Sequence, residues 1–227
     1  MALAATGVTR PLLRAFAKAS DPATRVILCL LQTMGDQYSA PMEPRLHRRN
    51  YNDPGHSHEL TFSCYHRFPF FKAERTCLWL ADSINAARIK YEFDVWAYVF
   101  MPDHIHLIVH PRLPEYDIAI IRQAIKEPVA RQALAWLEEN ASEWIPKLTV
   151  QKSGRTRRHF WQTGGGYDRN ITKPSTLAAM IEYIHLNPVR KGLAEQAIQW
   201  KWSSAAWLLG VGTSPLSLDR IPPEWLG

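Results

Sequence analysis

Cysteine is scarce in this sequence: there are three, Cys29, Cys64 and Cys77, unevenly spaced and without a Cys-x-x-Cys pair. That pattern excludes a disulfide framework and a zinc ribbon, and it suits a reducing, cytoplasmic compartment. Long apolar runs are missing too. Stretches such as Val26–Leu31 fall far short of the roughly 20 residues that cross a bilayer, so no membrane span is expected. Acids are absent from the Ala-rich start, Met1 to Ser20, which carries Arg10, Arg14 and Lys18 and no secretory apolar core. It reads as a basic amphipathic helix or a transit-like leader. The triple glycine Gly164-Gly165-Gly166 lacks both the spacing of a P-loop and its Gly-Lys-Ser/Thr ending, which argues against nucleotide hydrolysis.

What is present is a basic chain of 227 residues, 46% hydrophobic, with net charge +6 and pI near 9.3. The length suits one compact domain plus an appendage, and the charge suits a polyanionic partner. Met1 to Asn50, with Pro41, Pro44 and the cluster Arg45 to Arg49, reads as a poorly ordered extension and linker, with a DNA-contacting arm as the alternative. The domain is expected over 51–227. Within it, β-formers over Glu59–Tyr65 predict a strand, and apolar spacing over Glu74–Lys90 predicts a helix. Strands are expected over Phe93–Phe100 and His104–His110, and a helix over Tyr116–Glu139 with a kink or break at Pro128. A short strand at Leu148–Gln151 completes the order strand, helix, strand, strand, helix, strand, the ferredoxin-like α+β plan. A further helix follows over Thr176–Arg190.

Three patterns carry chemistry. His104, His106, Ile108 and His110 alternate along one face of their strand, with Ile105, Leu107 and Val109 on the other. Two imidazoles at i and i+2 can share a divalent cation, or they can be ordinary half-exposed strand residues. The stretch from Lys152 to Gln162 places Arg155, Arg157 and Arg158 beside Phe160 and Trp161. Cations for phosphates next to flat rings for unstacked bases suit single strands or hairpin ends, the alternative being a solvated loop whose aromatics belong to the core. Tyr183 and Asn187 stand four residues apart, hence on one helix face. A tyrosine hydroxyl can attack a phosphodiester beside a cation, although the pair is ordinary on spacing alone.

The ordered blocks Met101-Pro102-Asp103-His104-Ile105-His106-Leu107-Ile108-Val109, Phe160-Trp161-Gln162, Tyr183-Ile184-His185-Leu186-Asn187-Pro188-Val189-Arg190 and Trp202-Ser203-Ser204-Ala205 together resemble the REP-associated tyrosine transposases. These are single-tyrosine relatives of insertion-sequence transposases with an HUH site, His-hydrophobic-His. The resemblance spans about His58 to Trp207 and implies an HUH endonuclease fold whose extra C-terminal helix carries the nucleophile. It implies Tyr183 as that nucleophile, and His104, His106 and Asn187 as ligands of Mg²⁺ or Mn²⁺. Arg155, Arg157, Arg158, Phe160, Trp161, Arg169 and Arg190 are the expected DNA contacts. The implied activity is metal-dependent cleavage and transfer of single-stranded DNA at hairpin-forming palindromic repeats, through a 5′-phosphotyrosine intermediate, by a monomer or homodimer. A domesticated hairpin-binding protein without turnover and an HUH replication initiator or relaxase are the competing functions, though no helicase motif accompanies the latter. Tyr167, in the glycine-rich segment, is the alternative nucleophile, and His110 is left without a role.

Overall fold

The computed structural model describes residues 52–164 and 166–226; the extension expected over Met1–Asn50 lies outside them. A four-stranded antiparallel sheet organises the chain. Its strands are β1 (Ser57–Ser63), β2 (Phe93–Phe100), β3 (His104–Pro111) and β6 (Tyr167–Ile171), in the order β2-β3-β1-β6. Helices α1 (Glu74–Tyr91) and α2 (Ile118–Asn140) cover one face and α3 (Pro174–His185) lies on the other. This is the ferredoxin-like order, with α3 added to the face that the first two helices leave open.

Strand alternation decides which side chains reach each face. Leu60 and Phe62 of β1 and Ile105, Leu107 and Val109 of β3 point toward α1 and α2, where they meet Leu80, Ile84, Ile121 and Ile125. Each large apolar side chain so buried contributes about 1.5–3 kcal/mol. The opposite parity carries Glu59 and Thr61 on β1 and His104, His106, Ile108 and His110 on β3. Ile108 packs there with Leu177, Met180, Ile181 and Ile184 of α3. In β2 the register shifts between Val95 and Ala97, so that Trp96 and Ala97 both face α3.

The helices are bounded by local chemistry. Asp117 caps α2 by accepting from the Ala119 amide at 2.8 Å. Glu74 sits in the first turn of α1 and Arg88 and Lys90 in its last, complementing the helix dipole, and Glu92 ends it in a left-handed conformation. The outer edge of β2 is covered by the chain's own tail: the Phe100 amide donates to Trp202 O at 2.8 Å and the Ser204 amide to Tyr98 O at 3.0 Å. Trp200 and Trp202 belong to this closure, since Trp200 Nε1 donates to Phe100 O at 2.9 Å and Trp202 stacks on Phe100.

Two expectations change. α2 runs unbroken through Pro128. The segment expected as the fourth strand of the sheet instead forms β4 (Thr149–Lys152), which pairs with β5 (Arg155–Arg158) in a separate hairpin. The edge position beside β1 goes to β6, immediately after the glycines. Gly166 makes that possible: its φ is +75°, and a Cβ there would lie 2.3 Å from Thr61 O. Gly166→Ala is therefore expected to cost about 2–3 kcal/mol, read as a lower urea midpoint; an unchanged midpoint would show that β6 can dock on β1 without that close approach.

Candidate active site

The site forms where β3 leaves the sheet's turn end and α3 passes over it. His106 and His104 are successive residues on the same face, ring centroids 5.1 Å apart. Across them lies Tyr183 of α3, its ring edge-on to His106 at 6.0 Å. The residue is 42% exposed, because it flanks the buried stripe of α3 instead of sharing it.

His106 is the best-supported side chain of the group. Its Nδ1 lies 3.0 Å from Glu59 Oε1 and 2.9 Å from Thr61 Oγ1. The Thr61 hydroxyl donates to the same Glu59 oxygen, so the proton shared with the imidazole must come from Nδ1. That leaves a lone pair on Nε2, which is buried without a hydrogen-bond partner. On His104, Nδ1 sits 2.7 Å from Asp103 Oδ1, so Nε2 is again the free nitrogen. Burial holds the His104 imidazole below its ordinary range, with the Asp103 hydrogen bond opposing and His106 reinforcing the shift. A neutral imidazole is the form that binds metal.

Asn187 follows Tyr183 by one turn. Pro188 has no amide hydrogen to give the Ile184 carbonyl, and the Asn187 side chain makes up the loss: Nδ2 donates to Tyr183 O at 3.0 Å and Ile184 O at 3.3 Å. Two carbonyl acceptors fix the orientation of the amide and turn Oδ1 away from the backbone. Arg190, on the same four-residue turn of helix, donates from Nη1 to Tyr183 O at 3.2 Å and holds its guanidinium 5.0 Å from the tyrosine ring. Among the described residues no three His, Cys, Asp or Glu side chains form a metal cluster. The side chains that could meet an ion here are two imidazoles and one amide. A divalent cation fits these residues, because the buried His106 Nε2 has no other partner and both rings are fixed from behind by carboxylates.

Other residues of the sequence reading are placed differently. Arg169 shares a cross-strand row with Glu59 and Ile108 on the site's face, and its Nη1 reaches Met180 of α3 at 3.5 Å. Arg155, Arg157 and Arg158 are exposed on β5, where Arg158 pairs with Glu138 of α2. Phe160 and Trp161 are corrected: at 2% and 7% exposure they are core residues, and Trp161 Nε1 donates to Lys126 O at 2.8 Å. They pack inward against Phe62 and Phe71, so they hold up the basic hairpin without offering faces to bases. Tyr167 lies on the site's face in the row Val99, His106, Thr61, Tyr167, two strand spacings or about 10 Å from His106. His110 is structural, stacked on Trp96 at 4.6 Å with Ser57 Oγ 3.0 Å from its Nδ1. His185 turns away from the site to Ser204 Oγ at 2.7 Å, and burial pushes it down to about 3. Sequence reasoning missed Glu59 and Thr61. Their signal was parity: Glu59 and Thr61 alternate with Leu60 and Phe62 on the strand paired with the histidine strand.

Residues 55–187 match the family model described as "Transposase IS200 like". The chain belongs to the IS200-like transposases. A Haemophilus influenzae protein bearing the name of the REP-associated tyrosine transposases is 30% identical over an alignment 153 residues long, the match covering 60% of this chain and 77% of that protein. The solved structure of a REP-associated tyrosine transposase bound to a REP hairpin aligns over 79% of this chain and 96% of its own, with TM-score 0.58 and 17% identity. That likeness is one of fold. Membership of this transposase family makes the chain an enzyme of DNA cleavage and joining, on the REP-associated tyrosine branch.

His110 also sets a pH dependence on this transposase. Burial, with His58 reinforcing and Glu224 opposing, holds its imidazole below the ordinary range. The unfolded chain therefore takes up the proton first, and stability is lost as pH falls through the unfolded value of about 6.5. The urea midpoint should drop between about pH 7.5 and 5, and His110→Phe, which keeps a ring on Trp96, should flatten the drop. Identical pH profiles for the two proteins would remove His110 from the account.

Proposed function

We propose that this chain cuts and rejoins single-stranded DNA beside a hairpin-forming repeat, with Tyr183 as nucleophile. The observation that carries the reading is the buried, partnerless His106 Nε2 lying beside the half-exposed ring of Tyr183. A nitrogen lone pair left unsatisfied inside a protein costs about 1–3 kcal/mol, and a bound cation removes that cost. His104 and His106 would supply two nitrogens and Asn187 one oxygen, a mixed set that suits Mn²⁺ or Mg²⁺. The ion, when bound, neutralises charge on the scissile phosphate and orients it.

The chain's own groups do the rest. Tyr183 is exposed enough to meet a strand and is held by a helix whose other side is buried. Attack of its oxygen on phosphorus breaks the bond to the departing 3′ oxygen, leaving a 5′-phosphotyrosine and a free 3′-hydroxyl. The bond count is unchanged, so the reverse attack by the same or another 3′-hydroxyl rejoins DNA without ATP. Arg190, beside the tyrosine ring, is placed to pair with the phosphate that arrives there. Hairpin DNA is the proposed partner because the solved relative is bound to a REP hairpin and this chain is basic.

The deciding experiment incubates the protein with a tailed DNA hairpin and Mn²⁺ or Mg²⁺ and looks for a covalent adduct on a denaturing gel. Tyr183→Phe should abolish the adduct and Tyr167→Phe should keep it. The reverse result moves the nucleophile to Tyr167, and no adduct with any hairpin rejects the mechanism.

Glu59→Gln tests the metal arm separately. Loss of the carboxylate behind His106 should weaken Mn²⁺ binding about 10–100-fold by calorimetry. Unchanged Mn²⁺ affinity would mean that the imidazoles do not hold the ion.

A further inference from the structure

Between the first turn of α1 and the last turns of α2 lies a cleft of about 250 Å³, near the lower limit of about 300 Å³ for small-molecule pockets. Phe70, Trp79, Trp136 and Trp144 line it, and all four keep part of their surface exposed. The same lining holds Lys72 and Arg75 and no acid.

Two cations lie against its rings. The Arg75 guanidinium lies 3.5 Å from the centroid of Trp136, and the Lys147 ammonium 4.4 Å from that of Trp144. Acids nearby are already engaged: Glu74 pairs with Lys201 and Glu138 with Arg158 of β5. Glu143, beside Trp144 in sequence, is not part of the lining.

The cleft is also joined to the active site. Asp103 holds His104 through Oδ1, and its Oδ2 lies 3.3 Å from Arg67 Nη1. From Arg67 the chain continues into Phe68, whose ring meets Phe70 at 5.9 Å and Trp144 at 5.2 Å. Three residues span at most about 10 Å, so the aromatic rim begins a short step from the metal-ligand strand.

We propose that this cleft takes an unpaired nucleobase from the single-stranded DNA flanking the hairpin. The rings of Phe70 and Trp144 stand at 66° to each other, so the base stacks on one and meets the other edge-on, while Arg67, Lys72 and Arg75 meet the adjoining phosphates. Flat rings beside cations are the combination that holds single strands without reading sequence. The inference rests on the DNA-cleaving function proposed above. It adds a binding site on the opposite side of the sheet from α3, and it gives the exposed cations of β5 a strand to follow.

Fluorescence anisotropy in chelator, where no cleavage intervenes, separates the two. One labelled DNA hairpin has a blunt stem; the other carries a tail of roughly eight thymidines, within the ~4–16 nucleotides that such a surface spans. Wild-type protein should bind the tailed hairpin more tightly. Trp144→Ala and Arg75→Ala should each lose about tenfold on the tailed hairpin and nothing on the blunt one, and Trp144→Phe should retain the difference. With 5-iodouracil in the tail, irradiation of the wild-type protein should crosslink peptides containing Phe70, Trp79, Trp136 or Trp144. That readout stands even where a variant fails to fold. Equal wild-type affinity for both hairpins, or crosslinks confined to α3, overturns the base site alone. So does wild-type affinity in both alanine variants, the result expected if the cleft takes a protein side chain. Failure to bind either hairpin overturns the DNA reading and the inference with it.

Discussion

The pairing of β1 with β3 is the constraint on which the site depends. Thr61 lies opposite His106 and Glu59 is two residues away on the same face, so the groups that fix the imidazole come from the strand next door. A slip of one residue would send both histidines into the core and bring Ile105 and Leu107 to the site. The core prevents it, because those two side chains are fully buried against α1 and α2. Packing on one face of the sheet thus sets the chemistry on the other. The same register ties β6 to Thr61, and Gly166 comes close enough to that residue's carbonyl to exclude any side chain.

Much of this was legible in the sequence where periodicity and packing agree. The histidine strand alternates cleanly, and its odd and even positions part in the fold as the pattern requires. The helix of Tyr183 likewise shows its buried stripe. Legibility failed where tertiary pairing overrode propensity. Tyr167-Asp168-Arg169-Asn170-Ile171 contains residues that are poor strand formers alone, yet it is a strand because β1 has an unpaired edge and Gly166 permits the approach. Thr149 and Val150 have better propensity, but they pair locally with the arginine strand. Pro128 was expected to interrupt α2, and the packing of Ile125 and Val129 on either side of it in the same core cluster outweighs the missing hydrogen bond.

Phe160 and Trp161 show a different limit. Their neighbours are arginines, and composition alone associates rings and cations. Burial separates them: the arginines of β5 are exposed, while the two rings that follow are enclosed. The half-buried rings nearby belong to other segments, Phe68, Phe70 and Trp144, which no local motif connects. Such a surface is assembled by topology, so a reading along the chain could not join its parts.

Tyr183 and Asn187 are coupled by a helix ending. A helix that stops at a proline leaves a carbonyl without a donor, and a nearby side chain can fill the gap. Asn187 does so with its amide nitrogen, and geometry then commits its oxygen to the opposite direction. The residue that repairs the helix end thereby holds its amide oxygen in a fixed direction, and Arg190 contributes a further bond to Tyr183 O on that turn. An aspartate in place of Asn187 has no hydrogen to give either carbonyl, so it would loosen the turn that carries Tyr183. The amide, which bears an oxygen and still donates to the backbone, is the group compatible with a fixed Tyr183.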